Sequence, residues 1–75
     1  MRIIWSEIAQ ATFVRFMADQ AGMNTVNRAA EALADDPAPP GAFARGACRR
    51  LRVGPYRVLY ELEGNLITIV RIDRI

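Results

Sequence analysis

Histidine and lysine are absent from this chain, and cysteine occurs once, at Cys48. Without histidine, the side chain that most often moves protons near neutral pH is missing. With one cysteine there is no internal disulfide and no ligand set for zinc, so no metal or other cofactor is expected. An unpaired cysteine also fits a reducing compartment, which makes the cytoplasm the expected location. Long apolar runs are missing too. Stretches such as 66–70 are far too short to cross a bilayer, and no charged segment followed by an apolar one opens the chain as a secretion signal would. Internal repeats and low-complexity tracts are likewise lacking.

What remains is a 75-residue chain of ordinary globular composition, 52% hydrophobic and 24% charged. That length supports one domain, 1–75, which buries about 60% of the surface its unfolded form exposes. All ten basic residues are arginines, and the net charge is only +2 with a pI near 9.3. Arginine suits bidentate contact with phosphate, but a GC-rich genome would favour its codons as well. Position is therefore more informative than number. Seven of the ten arginines lie between Arg45 and Arg74, a basic second half that points to a polyanion or an acidic protein.

The run "MRIIW" reads as a strand over Met1–Trp5. Ser6 is placed to cap a helix, with Glu7 in its first turn where negative charge suits the helix dipole. Ala9, Phe13, Phe16, Met17 and Ala21 recur at helical spacing, and Gly22 is expected to end that helix. Asn24 would cap a second helix with the apolar stripe Val26, Ala29, Ala30 and Leu33, stopped by Pro37. The segment "DDPAPPGAFARG" reads as a surface loop. After it the period becomes two, giving strands over 48–53, 56–62 and 66–72 joined by tight turns. The expected class is α+β in the order β-α-α-β-β-β, a helical hairpin on a mostly antiparallel four-stranded sheet.

A two-residue Gly54-Pro55 turn would put Val53 opposite Tyr56, Arg52 opposite Arg57 and Leu51 opposite Val58. Leu51, Val53, Tyr56, Val58, Tyr60 and Leu62 then share an apolar face beneath the helices. Arg50, Arg52, Arg57 and Glu61 share the other, with Leu59 among them. A three-residue turn over Glu63–Asn65 would add Arg71 to this arginine face and keep Val70 and Ile72 inside. A strict Gly64-Asn65 turn would drive Arg71 inward, which is costly for a charge, so the three-residue turn is expected. Tyr56, Tyr60 and Trp5 read as packing residues, and Cys48 as a small buried one. Such an arginine face is either a solvated sheet surface or a seat for a polyanion.

Three stretches, "MRIIWSEIA", "RRLRVGPYRVLYELEGN" and "ITIVRIDR", resemble the RelE/ParE superfamily of type II toxin–antitoxin toxins, with "IIWSE" similar to its YoeB branch. The resemblance covers most of the chain. It implies a ribosome-dependent mRNA endoribonuclease in which a ribose 2′-hydroxyl attacks the neighbouring phosphate. It also implies a cognate antitoxin as partner, in a heterotetramer or larger complex, with the ribosome and mRNA as targets and no membrane. By this resemblance Arg57 matches the phosphate-stabilising arginine, Arg50 and Arg52 the basic strand positions, and Arg74 a catalytic position at the strand end. Arg49 and Arg71 are further RNA-binding candidates. The family's usual terminal histidine and tyrosine have no match here, and arginine hardly carries protons. Any base would then be Glu61 or Asp73. Two other readings stay open: a ParE-like inhibitor of DNA gyrase without nuclease chemistry, and an impaired member that only binds its antitoxin.

Overall fold

Ser6 begins the first helix as its side chain dictates: Oγ accepts the Ala9 N–H at 3.0 Å while its backbone stays extended. The computed structural model describes residues 1–75. Its elements are β1 (Arg2–Trp5), α1 (Glu7–Arg15), α2 (Gln20–Ala32), β2 (Ala42–Arg45), β3 (Cys48–Val53), β4 (Tyr56–Glu63) and β5 (Leu66–Arg74). The strands form one sheet in the order β1-β5-β4-β3-β2. β1 runs parallel to β5 and every other pair is antiparallel. The α+β class is as expected, with one strand more. That strand, β2, lies inside the segment read as a loop. The Pro39-Pro40-Gly41 run hides it, yet it pairs with β3 from Ala42 opposite Leu51 to Arg45 opposite Cys48.

Both helices lie on one face of the sheet. Met23, Val26, Ala30 and Leu33 of α2 and its C-cap are buried against Leu51, Val53, Tyr56, Val58, Tyr60, Ile67, Ile69 and Ile72. Ala9 is fully buried because only a small residue lets α1 approach β5 closely. Trp5 packs edge-on to Phe13 with ring centroids 5.5 Å apart, as its packing role requires. Met17 and Ala21, expected inside, are exposed.

The reason is the position of the helix break. Gly22 does not end α1; the chain turns between Phe16 and Asp19, and Asp19 rather than Asn24 caps α2, accepting the Gly22 N–H at 3.0 Å. Gly22 sits in the first turn of α2, where a Cβ would lie 2.8 Å from the Tyr56 ring. Its small size serves packing, and the break beside it falls to a capping carboxylate. The same carboxylate accepts the Tyr56 hydroxyl at 2.7 Å. Tyr60 donates to the Pro37 carbonyl at 2.7 Å and so ties the proline segment to the core.

β3 and β4 pair in the expected register, with Val53 opposite Tyr56 and Arg52 opposite Arg57. Gly54 takes the positive φ of 58° that the first position of a type II′ turn needs, and Pro55 supplies the fixed φ of the second. The following hairpin differs from expectation. Glu63 pairs with Leu66, so its turn is the strict two-residue Gly64-Asn65. Arg71 nevertheless faces outward, because the register shifts between Leu59, opposite Arg71, and Tyr60, opposite Ile69. Val70 is the extra residue of a β-bulge there. Ile67 and Ile69 are buried before it and Ile72 after it, while Val70 itself is only half-buried.

Two hydroxyls of the first helical segment hold that bulge. Ser6 Oγ donates to the Val70 carbonyl at 2.8 Å, and Thr12 Oγ1 accepts the Ile72 N–H at 3.0 Å. Replacing Thr12→Val keeps the shape and leaves that partly buried N–H unpaired. Urea unfolding should show a loss of about 1–3 kcal/mol; an unchanged midpoint would mean that the bulge holds without the helix.

The Asp19–Tyr56 pair gives stability a pH signature. The Tyr56 hydroxyl, and then the Gly22 N–H, hold the Asp19 carboxyl below its usual 3.8. The Asp19 hydrogen bond, and then burial, hold the Tyr56 phenol above its usual 10.0. A depressed acid stabilises the fold fully above its usual pKa and loses that contribution as pH falls through the lower native value. A raised phenol contributes fully below its usual pKa and loses its contribution as pH rises through the native one. Thermal unfolding of Asp19→Asn, which keeps a capping oxygen, should depend less on pH below 3.8 than the parent does.

Candidate nucleic-acid interface

The sheet face away from the helices is uncovered, and the register arranges its side chains in rows across the strands. One row holds Asp73, Arg57 and Arg52; the next holds Arg71, Leu59, Arg50 and Phe43; a third holds Thr68, Glu61, Cys48 and Arg45. Alternation along each strand puts these residues on one side, as expected for Arg50, Arg52, Arg57 and Glu61. The bulge at Val70 brings Arg71 and Asp73 to the same side.

Arg52 and Arg57 stand one pair beyond the residues that close the hairpin. That is the closer, non-hydrogen-bonded kind of cross-strand pair, and like charges there cost up to about 1 kcal/mol. Arg52 Nε donates to the Gly54 carbonyl at 2.8 Å, which fixes its guanidinium beside the turn. Arg71 is held differently. Its Nε lies 2.8 Å from Asp73 Oδ1, and an Nη donates to Oδ2 at 3.1 Å, a bidentate pair. This is the single salt bridge of the protein, so Arg45, Arg50, Arg52 and Arg57 have no carboxylate within 4 Å. Gly41, Phe43, Arg50, Arg52 and Arg57 line one shallow hollow of about 340 Å³.

Two candidates lie elsewhere. Arg49 is in register with Tyr60 and Ala44, on the helix side, as its parity with Leu51 and Val53 requires. Arg74 is opposite Tyr56, also on the helix side, and its guanidinium carbon sits 5.5 Å from the centre of that ring. The bulge that turns Arg71 outward necessarily turns Arg74 the other way. Tyr56 and Tyr60 are buried, so neither offers a stacking surface.

Glu61 is on the arginine face but one row past Leu59, with its Cα about 13 Å along the strand from that of Arg57. The carboxylate directly opposite Arg57 is Asp73. Phe43 is the residue that sequence reasoning missed. It projects from β2 beside Arg50 and is 66% exposed. The only signal for it was an aromatic at alternate spacing in "GAFARG", masked by the prolines before it.

Comparison with proteins of known structure finds this arrangement of strands and helices repeatedly. The toxin–antitoxin complex RelBE2 of Mycobacterium tuberculosis matches with a TM-score of 0.81 at 18% identity, over 99% of this chain and 96% of that one. The YoeB dimer of Staphylococcus aureus matches at 0.77 and 17%, over 100% and 97%. The chromosomal ParDE system of P. aeruginosa matches at 0.71 and 19%, over 100% and 96%. A comparison by sequence with curated proteins finds no match. The family model described as ParE toxin of type II toxin-antitoxin system, parDE, matches residues 3–74. A chain matched over nearly its whole length in this way belongs to the ParE toxin family, within the RelE/ParE superfamily of type II toxin–antitoxin toxins.

Proposed function

We propose that this toxin arrests translation by binding mRNA at the ribosome along its uncovered sheet face and cleaving it. One observation carries the reading: Arg50, Arg52 and Arg57 converge on one hollow with no carboxylate near enough to neutralise them. Clustered guanidiniums without counter-ions form a seat for phosphate. In the reaction the RNA 2′-hydroxyl oxygen bonds to the adjacent phosphorus and the bond to the 5′ oxygen breaks. The three arginines stabilise the charge that accumulates on the phosphorane oxygens. Asp73, opposite Arg57, is the carboxylate placed to accept the 2′-hydroxyl proton, while its pair with Arg71 fixes its orientation. The departing 5′ oxygen takes its proton from solvent. Glu61 is too far along the strand to share this phosphate with Arg57.

The partner in this reading is a cognate antitoxin whose acidic or amphipathic segment covers the same arginines. Ile8, Val14 and Met17 on and just after α1 are exposed and offer such a segment apolar contacts.

A ParE-like action on DNA gyrase is the second reading. It is favoured by the family model that matches and by a face with no histidine or exposed tyrosine. The two separate on induction of the gene. Mapped transcript 5′ ends carry new, codon-phased cuts under the first reading, whereas DNA-damage signalling without cuts supports the second. Arg57→Ala should abolish growth arrest and lower cleavage by about 10²–10³-fold. It should leave thermal stability equal or slightly higher, since a repulsive pair is relieved. Undiminished cleavage by Arg57→Ala would sink the assignment.

A further inference from the structure

Phe43 is a large aromatic on an edge strand, opposite Arg50, and two-thirds exposed. It contributes nothing to the core, which lies on the other face. Phe43 and Arg50 together line two adjoining hollows. One is the arginine hollow already described; the other, of about 470 Å³, is walled also by Ala44, Arg45, Cys48, Arg49 and Leu59. An apolar ring therefore stands between a cationic recess and a second recess in which Ala44, Cys48 and Leu59 lie among arginines. Single-stranded RNA has the complementary pattern, with alternating phosphates and flat apolar bases. Proteins that hold single strands combine a basic groove with aromatic rings on which bases stack.

Resting on the RNA reading above, we propose that Phe43 is the base-stacking platform of this toxin. A phosphate occupies the Arg50–Arg52–Arg57 hollow, and the neighbouring nucleobase lies on the Phe43 ring over the Cys48–Leu59 hollow. Arg50, lining both, bridges the phosphate and the base. This division of labour makes the arginines responsible for salt-dependent affinity and Phe43 for a salt-independent share. The ring discriminates little between bases, because each has a π-face to offer.

The test uses the full chain and a fluorescein-labelled single-stranded RNA heptamer with 2′-O-methyl riboses, which binds but lacks the attacking hydroxyl. Phe43→Ala and Phe43→Leu should each weaken binding about tenfold, and Phe43→Trp should retain it. The Phe43 variants should keep the parent's dependence on salt, whereas Arg57→Ala should flatten it. Moving one abasic site along the heptamer should locate a position where the parent loses the same factor and Phe43→Ala loses nothing further. Phe43→Leu binding as tightly as the parent, with Arg57→Ala still impaired, would overturn the stacking role and leave the RNA reading standing. Loss of antitoxin affinity in Phe43→Ala with RNA affinity unchanged would overturn it too, and assign the ring to the protein partner. Failure of the parent to bind the heptamer both alone and when it is presented on a ribosome, or binding indifferent to Arg57→Ala, would overturn both.

Discussion

The bulge at Val70, clipped by two hydroxyls, decides which way the last strand faces. Ile67 and Ile69 enter the core before it and Ile72 after it, so the strand needs one extra residue to change phase. Ser6 binds the carbonyl of that residue and Thr12 the N–H of Ile72 two positions on, and Ser6 simultaneously caps α1. The same bonds thus start the helix, seat it on β5 and set the phase of the strand. Without the phase change, Arg71 and Asp73 would point under the helices and Ile72 into water. The composition of the exposed face follows from two side chains on the far side of the sheet.

The exposed face is a compromise that the core makes possible. Arg52 and Arg57 oppose one another at the closest kind of cross-strand pair, yet the hairpin beneath them is anchored by Val53, Tyr56 and Val58. Repulsion of about 1 kcal/mol is small beside the burial of those side chains, each worth roughly 1.5–3 kcal/mol. Asp73 relieves Arg71 and stands opposite Arg57 without bridging it, which preserves net positive charge where the rows converge. Affinity for a polyanion and strain within the sheet share one cause.

Much of this was legible beforehand. The two-residue Gly54-Pro55 turn fixed the register of β3 and β4, and period-two alternation then sorted Arg50, Arg52 and Arg57 from Leu51, Val53, Tyr56 and Val58. The cap at Ser6 and the stripe of α2 were equally plain, since each depends on residues within one or two helical turns. The misreadings arose where a residue type has more than one use. Gly22 looked like a helix end and is a packing residue beneath Tyr56. The prolines announced a loop and concealed β2, whose pairing with β3 depends on a partner further along the chain. Phe43 was lost with it.

The sequence by itself determined the α+β class and the inner and outer faces of the central hairpin, because these rest on local periodicity and turn chemistry, while the resemblance of three stretches pointed to the superfamily. Only the tertiary structure decided that Arg74 lies over Tyr56, that Asp73 joins the outer rows, and that Arg71 reaches them through a bulge rather than a three-residue turn. It also placed Phe43 beside Arg50. These outcomes depend on a bulge and an edge pairing, where contacts distant along the chain choose between backbone phases that the local pattern leaves equivalent.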